Sequence, residues 1–176
     1  MAGTMFAPNQ TTEFYSPIYD SYQASSGATM PANLIMFANP QNQTNGPEIT
    51  NMKDSGKLSA GESIDVQAIR VQFIGAAKAD IIAVMKAYQI SLVYGGTAFY
   101  ESTVDATPGG GGIYGDANNG AQDPRAVYNL PPQFPILITS GPIFNVVLKC
   151  GGVPPTLTAA LFFRVYLDGL RRKLAA

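Results

Sequence analysis

The chain has 176 residues, 46% hydrophobic and 13% charged, with a formal net charge of −1 and neither histidine nor tryptophan. Its length suits one domain with a single core, and its charge is far below the roughly 25% of ordinary soluble domains. Without histidine there is no Ser-His-Asp or Cys-His catalytic set, no His-ligated zinc and no cupin-type metal centre, and near-neutral charge leaves no basic stripe for nucleic acid.

The opening MAGTMFAPNQ lacks the basic and apolar regions of a signal peptide, so synthesis in a cytoplasm without secretion is expected. Residues 1–29 read as an irregular arm, with Pro8, Pro17 and scattered aromatics that include Phe14, Tyr15, Tyr19 and Tyr22. So many aromatics suit an arm docked on its own barrel or on a neighbouring subunit, the alternative being a loose terminus. Asn33–Phe37, NLIMF, is a short strand ended by Asn39-Pro40, and a weaker strand is expected near Ile49–Met52.

Glu62–Ile74, ESIDVQAIRVQFI, is the dominant strand. Ile64, Val66 and Ala68 share one side, then the phase slips and Ile69, Val71 and Phe73 carry the apolar set. A one-residue slip turns the following side chains to the other face, so a β-bulge is expected at Ala68-Ile69. In AAKADIIAVMKAY, Ile81, Val84, Met85 and Tyr88 repeat at helical spacing and predict a short helix across a barrel end. QISLVY and TAFYESTV form a hairpin about Gly95-Gly96.

Gly110, Gly112 and Gly115 satisfy G-x-G-x-x-G, but the following Asp116, Asn118, Asn119, Gly120 and Pro124 cannot open the helix that a dinucleotide site needs. A long interaction loop is the better reading. Val127-Tyr128 reads as an edge strand, followed by strands PILIT and FNVVLK. Cys150 is the single cysteine and reads as a small buried hydrophobe. In TAALFFRVYLD, Phe163, Val165 and Leu167 face inward while Arg164, Tyr166 and Asp168 face outward. No apolar run reaches the roughly 20 residues of a membrane-spanning helix.

Candidate sites are few. Asp105, Asp116 and Asp123 flank the glycine loop but match no calcium-loop spacing, and Glu62 and Glu101 have no partner carboxylate for glycoside chemistry. Arg171, Arg172 and Lys173 concentrate positive charge that can meet an anionic membrane surface, nucleic acid or acidic groups of a neighbour. Phe99, Tyr100, Tyr114 and Tyr128 are further contact candidates, with core packing the alternative for Phe99. No catalytic residue, cofactor or metal is expected, so the chain reads as a non-enzyme.

The order of elements is an arm, LSAGESIDVQAIRVQFIG, a helix, ISLVYGGTAFYESTV, a glycine-rich loop and a closing VYLDGLRRKL. It resembles the small, single-jelly-roll major capsid proteins of tailless icosahedral phages with an internal membrane, of the Thermus-phage type, over about residues 58–174. The expected fold is all-β: an antiparallel jelly-roll sandwich or barrel with one short helix and an irregular N-terminal arm. The arm would occupy 1–29, the jelly roll 30–170 and a basic tail 171–176. The resemblance implies a capsid subunit located in the virion. It would form a homo-oligomer, pack with a second coat protein and stand near the inner membrane surface, with no sequence-specific nucleic acid. The contact candidates are Phe14, Tyr15, Tyr19, Tyr114, Tyr128, Arg171, Arg172 and Lys173. A carbohydrate- or receptor-binding β-sandwich, with Tyr114, Tyr128 and Asp116 around a sugar, is the alternative.

Overall fold

The computed structural model describes residues 11–42, 44–107, 113–115, 120–122, 128–130 and 136–174. Residues 1–10, Gly110, Gly112, Asp116 and Asp123 lie outside them.

Two antiparallel sheets pack as a sandwich around one apolar core. At the centre of the first sheet, β4 (Glu62–Ile74) pairs with β12 (Leu161–Leu174) along nearly its whole length. On the far side of β12 lie β1 (Thr11–Tyr15) and β2 (Ile18–Ala24). On the far side of β4 lie three short pieces: β8 (Gly120–Gln122), β9 (Tyr128–Asn129) and β10 (Ile136–Thr139). β7 (Ile113–Gly115) forms a hairpin with β8. The second sheet runs β3 (Asn33–Met36), β11 (Phe144–Cys150), β5 (Tyr88–Tyr94) and β6 (Thr97–Thr103).

Take β2, β3, β4, β5, β6, β10, β11 and β12 as eight successive strands. The sheets then read first-eighth-third-sixth and second-seventh-fourth-fifth, which is the jelly-roll pattern. Helix α1 (Lys78–Ala87) joins β4 to β5. Tyr88, expected on its apolar face, begins β5 instead, and its hydroxyl donates to the Pro31 carbonyl at 2.7 Å. The carboxylate of Asp80 ties the helix to the β11–β12 loop, accepting from Thr158 N–H and Oγ1 at 2.8 Å and from Ala159 N–H at 3.0 Å.

The phase slip in β4 is a bulge, one residue earlier than expected. Asp168 faces Ala68 and Gly169 faces Val66, so Gln67 has no partner on β12. Ala68 and Ile69 are then both buried, and the inward set Ile64, Val66, Ile69, Val71 and Phe73 is fully enclosed. The slack strand is pressed against its neighbour: a Cβ added at Gly169 would lie 2.0 Å from the Asp65 carbonyl oxygen. Phe73 and Phe163 meet edge-on across the pair at 5.0 Å.

Three segments differ from the sequence reading. Most of the described part of the expected irregular arm is strand, hidden in the sequence because Pro17 splits it into short pieces and the inward set Ile18, Asp20, Tyr22 and Ala24 includes an acid. The expected tail at 171–176 is the end of β12 through Leu174, paired with β1 from Thr11 to Tyr15. Residues 49–52 form no strand. They line the free edge of β2 through irregular bonds, Asn51 N–H to the Tyr19 carbonyl and Tyr19 N–H to Asn51 Oδ1, which blunts an edge open to further pairing. Cys150 is half-buried against the core rather than enclosed.

A polar relay joins the sheets. Buried Asp20 on β2 accepts from the N–H of Phe37, which sits at φ 67, a left-handed conformation costly for a bulky residue. The Phe37 carbonyl accepts from Gly56 N–H, and the Gly56 carbonyl from Phe144 N–H, both at 2.8 Å. Burial raises the Asp20 pKa above 3.8 despite the opposing bonds from Phe37, Ser21 and Thr50 and the charge of Arg164.

Gly169→Ala should cost about 3 kcal/mol or more by urea unfolding, because backbone must move to admit the methyl. Gly152→Ala, with open space around it, should stay within about 0.5 kcal/mol of the parent. For Asp20, the folded chain holds the proton more tightly than the unfolded one. Its contribution to stability is therefore fully present below pH 3.8 and lost as pH rises through the raised folded value. Asp20→Asn stays neutral and keeps an oxygen for Phe37, so its stability relative to wild type should grow across that window and then level off. Unfolding curves at a series of pH values that show a constant difference would rule out burial as the cause.

Candidate interaction surface

The outward face of the first sheet carries a ladder of arginines and aromatic rings, set by strand register. Tyr19, Tyr166 and Arg70 fall in one row, Ser21, Arg164 and Gln72 in the next, then Gln23, Phe162 and Ile74. The Arg70 guanidinium stacks 3.9 Å from the Tyr166 ring centre and makes two bonds to Asp168 at 3.1 and 3.2 Å. Arg164 lies 4.9 Å from the ring centres of both Tyr19 and Phe162, donates to Ser21 Oγ at 2.7 Å and reaches the Glu48 carbonyl. Among the described residues Arg164 forms no ion pair with a carboxylate. Beside it an open groove of about 810 Å³ is lined by Gln23, Glu48, Ile74 and Phe162. Arginine and tyrosine held in a fixed array are the side chains that dominate protein interfaces.

The bulge separates this ladder from a row of Tyr15, Leu170, Asp65 and Leu137, in which Tyr15 and Leu137 are exposed. On the opposite sheet Ile35 stands exposed in the outward row with Val147 and Ser91. Phe99 is the unpaired residue of a second bulge, between Leu92 and Val93, and is 55% exposed with its ring 6.0 Å from Tyr94. Ile143 and Val153 project from the turns on either side of β11.

The end of the sandwich that holds the start of β4 and the finish of β12 is basic. Arg171 donates to buried Glu62 at 2.9 Å, and Lys173 stands 3.5 Å from the other Glu62 oxygen. Arg172 pairs with Glu13 at 2.7 Å on the outside. Phe14 packs on Arg171, its ring centre 5.5 Å from the guanidinium carbon.

Of the residues singled out in the sequence, the fold brings Phe14, Arg171, Arg172 and Lys173 together through the pairing of β1 with β12. Tyr15 is adjacent, while Tyr19 belongs to the arginine ladder and donates to the Pro47 carbonyl. Tyr114 lies on β7 opposite Ala121, and Tyr128 lies on β9 opposite Ile69, both away from the basic end. Glu101 and Asp105 are exposed. Among the described residues no Cys, Asp and Glu side chains gather as a metal-binding group, and no helix is long and apolar enough to cross a membrane. Sequence reasoning did not single out Arg70, Lys53 or Lys57 as contact residues. The alternating phase of β4 sets Arg70 opposite its apolar set, but no local signal joins the two lysines to the end of β12. No protein-family model matches the chain, and no curated protein matches it.

Arg171→Met strips the main partner from a buried carboxylate and should cost about 2–3 kcal/mol in urea unfolding. Arg172→Met should leave the unfolding midpoint unchanged, since Glu13 is 53% exposed and loses little when unpaired. Equal effects of the two would refute the assignment of Glu62 as the electrostatic anchor of this end.

Proposed function

We propose that this protein is a structural subunit of an icosahedral viral shell, residing in the virion and packing with copies of itself and with a second coat protein. The observation that carries the reading is the distribution of exposed apolar side chains on a charge-poor jelly roll. Leu137 and Ile74 mark the outer face of the first sheet, Ile35 that of the second, and Ile143 and Val153 the turns. A catalyst or a lectin gathers its features at one place. A lattice subunit needs several patches pointing in different directions, because a single self-complementary patch closes at a dimer. Apolar surface on both faces and at the turns supplies such patches, and few like charges oppose their contact. The resemblance in element order to single-jelly-roll coat proteins supports the same reading.

The test is sedimentation velocity of the purified chain over a wide concentration range, with negative-stain imaging of the products. Larger species should appear as concentration rises. Ile35→Glu and Leu137→Glu, on opposite sheets, should each keep the folded circular dichroism spectrum while shifting association by about tenfold in concentration. Combining them should yield a monomer. A wild-type chain that is monomeric at every concentration, or association untouched by both substitutions, would overturn the proposal.

A further inference from the structure

Five of the eleven Lys and Arg residues of a chain with net charge −1 sit in two short stretches, Lys53 and Lys57 before β4 and Arg171, Arg172 and Lys173 at the end of β12. The fold brings four of them to one pocket of about 260 Å³, with Lys53, Lys57, Arg171 and Lys173 in its wall and buried Met52 and Leu58 among its apolar lining. Among the described residues Glu62 is the only acid in that wall, and it is engaged by Arg171 at 2.9 Å and approached by Lys173 at 3.5 Å. Asp54, between the two lysines in sequence, is exposed and takes a bond from Ser59 Oγ at 3.4 Å. Lys53 and Lys57 form no ion pair among the described residues. Four cations set against Glu62 and Asp54 leave an excess of two positive charges around a concave site.

We propose that this pocket binds a dianionic phosphate group, the head of a phosphomonoester, between Lys53, Lys57 and Lys173. Charge and shape argue together. An oxyanion with two negative charges balances the excess, and ammonium groups on flexible stems close around it as point charges. The apolar lining accepts the first carbons of an ester substituent, which a purely ionic surface patch does not offer. Binding joins the β3–β4 loop to the end of β12, so the occupied pocket also pins the loop that edges β2. The proposal is independent of the coat-protein reading, since a monomer can hold the same ligand.

Calorimetric titration tests it, using inorganic phosphate, a nucleoside monophosphate and a soluble short-chain phosphatidate at fixed ionic strength, with chloride as the reference anion. Saturable binding by at least one of these is expected, weakened about tenfold or more in the Lys53→Ala/Lys57→Ala double variant. Lys149→Ala, in an exposed position at the other end of β11, should bind as the wild type does. Equal affinity for all three ligands assigns the site to free phosphate. Preference for the phosphatidate assigns a lipid headgroup, and preference for the nucleotide assigns a nucleotide source. No saturable binding at millimolar concentration, or the same loss in Lys149→Ala as in the double variant, would overturn it.

Discussion

The unpaired residue Gln67 sets the facing of the whole central strand. β4 is long enough to serve two halves of the sandwich, and its inward positions change parity midway, between Val66 and Ile69. Without the extra residue, one half would turn its apolar side chains to the outer surface. The accommodation is shared between strands: β4 carries the extra residue, and β12 carries the one side chain small enough to lie beneath it, Gly169. The outward surface inherits the same break. Above it lies the arginine–aromatic ladder, and below it the row of Tyr15, Leu170, Asp65 and Leu137.

A second constraint operates at the corner where the chain crosses between sheets. The Asp20 carboxyl holds Phe37 in a left-handed conformation, and Phe37 passes the connection through Gly56 to Phe144. A carboxyl in the core is costly unless hydrogen-bonded, and this one takes backbone donors that no apolar residue could satisfy. The loop that follows then covers the free edge of β2 with irregular bonds, Asn51 Oδ1 accepting from Tyr19 N–H and the Ile49 carbonyl from the Ser21 hydroxyl. The same loop carries Lys53 and Lys57 toward the end of β12. Edge protection and the charge of the basic end therefore depend on one crossing.

Much of this was legible in the sequence wherever alternation was uninterrupted. β5, β11, most of β12 and each half of β4 on either side of its slip announce themselves because one face is buried against the core, while β6, in which Tyr100 alone is buried, is marked by the Gly95-Gly96 turn before it. β1 and β2 do not, since Pro17 interrupts them and Asp20 occupies an inward position. The run Arg171-Arg172-Lys173 looked like a tail because charges at a chain end are usually solvated. Pairing with Thr12, Glu13 and Phe14 on one side and with Glu62, Ser63 and Ile64 on the other shows that it is strand. The pocket was least legible of all. Lys57 and Arg171 are far apart in sequence, and no local pattern encodes their meeting.

The placement of β12 also bears on timing. It is the last strand described, yet it lies between β2 and β4, two strands made much earlier. Until residues 161–174 are available, β2 has no sheet neighbour and the inner edge of β4 stands open. Such long-range closure is slow, and it leaves apolar strands exposed while the chain waits. During synthesis the first sheet therefore cannot close progressively from the N-terminus. It closes when its final strand inserts, so the outer face assembled from β2, β12 and β4 does not exist until the chain is made through β12. The chain withholds that surface from any partner until β12 has been made.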